Sequence, residues 1–175
     1  CDGCGAAFEA DGGTFAADRC AACIASPYAF ARARAACVYD EASRGLILKF
    51  KHGDQQQFAG LFARWLSRAA ADLLVDADAV VPVPLHWRRQ WRRGYNQAEE
   101  LARAIGHGLG IPVDSQALRR SRATPPQARL HKRQRQKNLQ NAFVIPPLPY
   151  RHVALIDDVV TTGATAEQLT RGLRQ

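Results

Sequence analysis

The stretch His152-Val153-Ala154-Leu155-Ile156-Asp157-Asp158-Val159-Val160-Thr161-Thr162-Gly163-Ala164-Thr165 decides how the rest of this chain is read. Its first half is an unbroken apolar run ending in two carboxylates, the pattern of a strand buried on both faces in the middle of a parallel sheet. Its second half is a loop of small hydroxylated residues with Gly163 at the turn, after which Ala166-Glu167-Gln168-Leu169 continues as a helix. Strand, loop and helix start together gather unpaired backbone N–H groups and the positive end of a helix dipole at one place. Such a place suits a phosphate. Two adjacent acids do not neutralise a phosphate, but they accept hydrogen bonds from vicinal hydroxyls or approach a divalent cation. The implied ligand is a sugar phosphate. A buried strand that merely ends in acids before an ordinary helix cap is the competing account.

The whole pattern resembles the phosphoribosyl-diphosphate (PRPP) motif of type I phosphoribosyltransferases. The resemblance implies that Asp157 and Asp158, the candidate catalytic pair, hold the ribose 2′ and 3′ hydroxyls. It also implies that Thr161, Thr162, Gly163, Ala164 and Thr165 hold the 5′-phosphate.

A chain of 175 residues can bury one core and carry a small appended module. With 47% hydrophobic and 23% charged residues it is globular rather than disordered. No apolar run approaches the roughly 20 residues that span a bilayer, and no signal peptide is visible, so the cytoplasm is the default compartment. The chain has no Met, begins at Cys1 and stops at Gln175 inside the expected final helix, as a fragment of a longer protein would. Its formal charge of +8 is concentrated: residues 86–137 hold 13 Lys/Arg against three acids. A basic middle argues for a polyanionic ligand, either a pyrophosphate-bearing small molecule or nucleic acid, with a solvated Arg-rich surface as the plain alternative.

Residues 1–23 contain Cys1-x-x-Cys4 and Cys20-x-x-Cys23 separated by fifteen residues. Two such knuckles complete a tetrahedral sulfur site with the spacing of a zinc ribbon, structural because no ligand position is left open. Paired disulfides or a redox dithiol are the alternatives, and neither export nor a thioredoxin-like context supports them. The Ala- and Gly-rich segment between the knuckles has too little apolar bulk to fold without the ion. Cys37 lies outside this pattern, in a strand expected over residues 35–39, and reads as a core residue.

Residues 41–54 read as a short helix and turn carrying basic residues, with His52 at the surface. A long amphipathic helix is expected through Phe58, Leu61, Phe62, Trp65, Leu66, Ala69, Leu73 and Leu74. Residues 79–84 read as a buried strand ended by Pro82-Val83-Pro84, a turn in which backbone amides could face a ligand. Arg88, Arg89, Arg92 and Arg93, interleaved with Trp87 and Trp91, suit phosphates or stacked bases. Asn96 then caps a helix to Leu109, with Leu101, Ile105 and Leu109 on its core face, and Gly110 ends it.

Beyond the PRPP motif, several features occur in the order seen in ComF family proteins, and the similarity covers nearly the whole chain. They are the four-Cys ribbon, the Pro-Val-Pro strand end, Arg93-Gly94-Tyr95-Asn96-Gln97 with Glu99 and Leu101-Ala102, Arg120-x-Arg122-x-Thr124-x-x-Gln127-x-x-Leu130, Arg135-x-x-Asn138 and Ala142-Phe143. The family resemblance implies a PRPP-binding, amidophosphoribosyltransferase-like protein associated with competence for DNA uptake. The expected fold is α/β: a type I phosphoribosyltransferase-like, mostly parallel sheet flanked by helices over residues 35–175, behind a zinc ribbon over residues 1–34.

Between strands expected over residues 113–118 and 141–145 lies a long polar connection, the place of the lid that closes over PRPP in phosphoribosyltransferases. Arg122, Thr124, Gln127, Arg133, Arg135 and Asn138 are its candidate contacts. Mg²⁺ would arrive with PRPP, carried mostly by the ligand's own oxygens. The resemblance implies displacement of pyrophosphate by a nitrogen nucleophile, and Thr161, where purine-transferring relatives carry Asp, argues against a purine acceptor. Two other readings remain open: an accessory module that contacts single-stranded DNA and a DNA-uptake helicase, and a sensor of PRPP or a nucleotide.

Overall fold

The computed structural model describes residues 1–7, 19–52, 57–122 and 142–174. Along the chain its elements are α1 (Ala21–Ala25), α2 (Glu41–His52), α3 (Phe58–Ala69), α4 (Ala71–Leu74), β1 (Ala79–Pro82), α5 (Trp87–Arg93), α6 (Gln97–Leu109), β2 (Arg119–Arg120), β3 (Phe143–Val144), β4 (Val153–Ile156) and α7 (Ala164–Leu173).

The deepest element is β1, buried at all four residues. It pairs in parallel with β4, Ala79 opposite Val153 and Pro82 opposite Ile156. On its other side Val80 bridges Val113, its N–H donating to the Pro112 carbonyl at 2.8 Å and its carbonyl accepting from the Asp114 N–H at 3.0 Å. The interior position expected for β4 therefore belongs to β1. Among the described residues β4 has one strand neighbour, and only Ile156 of its four residues is fully buried. β2 and β3 form a separate antiparallel pair, Arg119 opposite Val144.

Successive side chains of a strand point to opposite faces, and the core divides accordingly. Val80 joins Ile47 and Phe50 of α2, Phe62 of α3, and Leu101 and Ile105 of α6. Ala79, Val81 and Val83 join Leu118, Phe143 and Leu169 of α7. Helices thus cover both faces of a small parallel sheet, as an α/β pattern requires. Gly106 of α6 allows a close approach: a Cβ there would lie 2.2 Å from Val113 Cγ2 and 2.7 Å from the Ile111 carbonyl oxygen.

Helix ends follow the local chemistry. Asp40 and Ser43 cap α2 reciprocally, each side chain accepting from the other's N–H at 2.9 and 3.0 Å, which supports a full twelve-residue helix where only a short one is expected. The Asn96 side chain accepts from the Ala98 N–H at 3.2 Å to start α6, and Gly110, at φ 69°, ends it.

Several expectations are corrected. The helix expected through Leu74 breaks at Ala70 (φ −114°, ψ 21°), which redirects the chain so that Leu74 enters the core. Leu109 is 48% exposed, because the last turn of α6 runs beyond the core cluster. Residues 35–39 are not a strand: no described strand lies beside them, and Cys37, Val38 and Tyr39 are exposed. Residues 113–118 reduce to the Val113 bridge and a turn in which Asp114 Oδ1 accepts from the Gln116 N–H at 3.0 Å. The strand expected over residues 141–145 is β3, with Asn141 outside the described residues.

Candidate functional site

The parallel register sets Pro82 beside Ile156, so the residues following β1 and β4 leave the sheet at the same edge. That is the edge where ligands of parallel sheets bind. At the β1 end the expectation of ligand-facing amides fails. Pro82 and Pro84 carry no N–H, and the Val83 N–H donates to the Ile156 carbonyl at 2.8 Å. The Val83 carbonyl is also engaged, by Asn96 Nδ2 at 3.1 Å. Residues 82–84 offer this edge a shaped wall and no donor.

At the β4 end stand Asp157 and Asp158, both half-buried. The Asp158 N–H donates to Asp157 Oδ1 at 2.8 Å, and Lys51 Nζ lies 3.0 Å from Asp158 Oδ2. Burial, and then the neighbouring Asp158 charge, push the Asp157 carboxyl up to about 7; the Lys51 cation works against that rise. Lys51 was not singled out by the sequence reading. It is delivered by a buried brace made from Tyr95, Asn96 and Gln97. The Tyr95 hydroxyl donates to the Phe50 carbonyl and Gln97 Nε2 to the Lys51 carbonyl, holding the last turn of α2 against the acid pair. Arg93 donates to Gln97 Oε1 at 3.1 Å, so this expected polyanion contact is turned toward the brace. The only sequence signal for Lys51 is a cation in the last helical turn, just before Gly53.

The loop of residues 161–165 enters α7 through Gly163, at φ 66° and ψ 3°. No described side chain caps this helix, and its first backbone bond is from the Glu167 N–H to the Gly163 carbonyl at 2.8 Å. The N–H groups of the first turn are therefore left for a ligand. A shallow open concavity is lined by Asp157, Val159, Val160 and residues 161–166. Within it Thr162 Oγ1 is buried without a hydrogen-bond partner among the described residues, an arrangement that costs free energy until an acceptor or donor arrives.

Two residues behind the loop were also missed. The Tyr28 hydroxyl donates to the Thr162 carbonyl at 3.2 Å, and the Ala29 N–H donates to Glu167 Oε2 at 2.6 Å. Burial, and then the Cys4 charge, raise the Tyr28 hydroxyl above its ordinary pKa, so it remains a donor. Contacts 134 and 138 residues apart in sequence leave no local pattern.

Cys1, Cys4, Cys20 and Cys23 bring their sulfurs within 4.8 Å of one another, and these four could hold a metal ion. Cys4 Sγ and Cys20 Sγ are 3.8 Å apart. That is the spacing of two sulfurs about 2.3 Å from a shared tetrahedral zinc, and far from a disulfide bond of about 2.05 Å. Cys1 Sγ accepts the N–H groups of Cys4 at 3.5 Å and Cys20 at 3.2 Å. Burial and the neighbouring thiols push Cys23 up to about 12, while the Cys23 N–H lowers Cys20. Four crowded thiols cannot all ionise unless a cation lies among them.

On α5, Trp87 and Trp91 are 62% and 89% exposed, and the Arg88 guanidinium lies 5.2 Å from the centre of the Trp87 ring. Buried His86 starts this helix, its Nδ1 accepting from the Arg88 N–H at 3.3 Å. Arg89 and Arg92 lie in α5 with side chains outside those described, and Arg122 is exposed just after β2. Thr124, Gln127, Arg133, Arg135 and Asn138 lie outside the described residues. No described helix is long and apolar enough to cross a membrane.

No protein-family profile and no solved structure matches the chain. Among curated proteins it is 40% identical over 139 residues to competence protein F of Haemophilus influenzae, an alignment covering 74% of this chain and 61% of that protein. It is 35% identical over 159 residues to the DNA utilization proteins YhgH of Salmonella typhimurium and Escherichia coli, covering 87% of this chain and 70% of each. With the ribbon cysteines assembled at the head of the chain and this identity across most of its length, the chain belongs to the ComF family.

Proposed function

We propose that this chain binds PRPP, or a closely related pentose phosphate, at the shared edge of β1 and β4, within a domain of the type I phosphoribosyltransferase kind. The observation that carries this reading is the joining of Asp157, with Asp158 next to it in the chain, to the uncapped start of α7 around one concavity that Asp157 lines and that contains the orphaned Thr162 hydroxyl. In that role the acids accept hydrogen bonds from the ribose hydroxyls. The first-turn N–H groups of α7 and Thr162 Oγ1 donate to the phosphate. Mg²⁺ bound with the ligand would supply neutralisation of the pyrophosphate charge, carried mostly by the ligand's own oxygens.

For turnover, a nitrogen nucleophile would form a bond to the anomeric carbon as the bond to pyrophosphate breaks. Thr161 leaves no carboxylate at that loop position to move a proton on a purine. The four cysteines serve as a structural zinc site in this reading. The names of the relatives support a part in DNA uptake.

Thermal unfolding tests the ligand. PRPP with Mg²⁺, and ribose 5-phosphate, should each raise the unfolding temperature, since a ligand at 100 times its Kd stabilises by about 2.7 kcal/mol. Pyrophosphate alone should do much less. No shift with either pentose phosphate would overturn the reading.

A second reading is favoured by exposed Trp87 and Trp91 beside Arg88: single-stranded DNA stacking on α5. It predicts tryptophan quenching by an oligonucleotide, weakened strongly by salt and by Trp91→Ala. Quenching insensitive to both would remove it.

A further inference from the structure

The phosphate loop is not supported only by the sheet from which it springs. Its outer side rests on the segment that leaves the second cysteine knuckle. Tyr28 holds the Thr162 carbonyl with its hydroxyl, and its ring lies 3.2 Å from where a Gly163 Cβ would sit. Ala29 holds Glu167 on the first turn of α7 at 2.6 Å, and the same carboxylate takes Arg171 Nε at 2.7 Å through its other oxygen. Phe30 stacks on Tyr28 with ring centres 4.6 Å apart.

The far end of this segment is anchored too. Arg34 bonds Asp2, inside the first knuckle, at 2.6 Å and Asp72 of α4 at 2.7 Å, and Arg32 adds a second bond to Asp72 at 3.2 Å. A Cβ on Gly5 would meet the Ala33 carbonyl at 3.0 Å, so the first knuckle also lies directly on this segment. Residues 28–34 therefore run as a strap from the four cysteines, past α4, to the loop.

We propose that Tyr28 and Ala29 are positioning residues for the phosphate loop, and that through them the loop's ligand affinity depends on a metal-loaded cysteine site. The donor set fits zinc, and the described helix at the knuckles, α1, has five residues and buries only Cys23, little apolar burial to order the site without an ion. With the metal removed, the strap loses the anchor at its cysteine end. The Thr162 carbonyl then loses the Tyr28 hydroxyl, the Glu167 carboxylate keeps only Arg171, and Gly163, with no Cβ, does not hold its left-handed conformation unaided. The coupling is reciprocal by linkage, so ligand on the loop should tighten metal retention by the same factor.

The ligand part of this proposal rests on the PRPP reading, and hydrogen exchange in the free protein tests the strap without it. In the full chain, chelation of the metal and Tyr28→Ala should each speed amide exchange at residues 167–169, the first hydrogen-bonded amides of α7, at least tenfold. Tyr28→Phe, which keeps the ring and loses only the hydroxyl bond, should fall between Tyr28→Ala and the parent. PRPP with Mg²⁺ should bind about tenfold more weakly to Tyr28→Ala and to the chelated protein, and should slow metal release from the parent. If the parent fails to bind PRPP while exchange responds as stated, the PRPP reading falls and the strap stands. Exchange at residues 167–169 unchanged by both chelation and Tyr28→Ala would overturn the strap.

Discussion

Replacing Asp157 by Asn should stabilise the protein while removing its ligand. Asp157 titrates at about 7 in the folded chain against an ordinary 3.8, because burial and the Asp158 charge disfavour its ionised form. About three pKa units at 1.36 kcal/mol each set an upper bound of about 4 kcal/mol on the cost of ionising it in place. The carboxyl still reaches solvent at the concavity, so less than half of that bound, about 1–2 kcal/mol at pH 8, is the expected gain. The sign follows from the direction of the shift. An acid whose folded pKa is raised leaves the folded state undisturbed below its ordinary pKa, and stability is lost as pH rises from about 4 to about 7. A carboxamide at this position has no proton to lose, so the advantage of Asp157→Asn should shrink by about half between pH 8 and pH 5. Urea unfolding of both proteins at the two pH values measures it. A variant less stable than the parent at pH 8, or an advantage that does not shrink in acid, would refute the placement of Asp157 beside a like charge in a desolvated site.

Other outcomes follow from the same geometry. Lys51→Met removes the cation that works against the rise at Asp157, so the pH midpoint for pentose phosphate binding should move upward, readable by titrations across pH 6–9. Gly106→Ala puts a methyl 2.2 Å from Val113 Cγ2 and 2.7 Å from a backbone carbonyl, and should cost about 1–3 kcal/mol in urea unfolding with the metal content unchanged. Chelation should release one metal ion per chain and expose four further thiols to a colorimetric reagent, while Cys37, already exposed, reacts before chelation.

What the sequence disclosed and what it hid differ by the range of the interaction. Cys1, Cys4, Cys20 and Cys23 were legible because each pair shares a knuckle three residues apart, and the helix caps at Asn96 and Gly110 because capping is local. Asp157, Asp158 and the Gly163 turn were legible as a contiguous strand, loop and helix. Leu109 and residues 35–39 misled because apolar character was taken for burial, and burial depends on what lies opposite. Arg93 reads as a ligand contact from its charge, yet Gln97, only four residues on, takes its guanidinium. The contacts of Lys51, Tyr28 and Glu167 leave no trace in the sequence because each meets its partner across more than 100 residues of chain. At residues 82–84 the strand end was placed correctly, but pairing with β4 had already engaged the one amide available.

The most direct test of the site is calorimetric titration of PRPP with Mg²⁺ into the parent and into Asp157→Asn/Asp158→Asn. Saturable one-site binding by the parent, weakened at least a hundredfold in the double variant while its unfolding remains cooperative, is the predicted result. Equal affinity in the two proteins, or no heat from the parent, would contradict a ribose held by the acids at the end of β4.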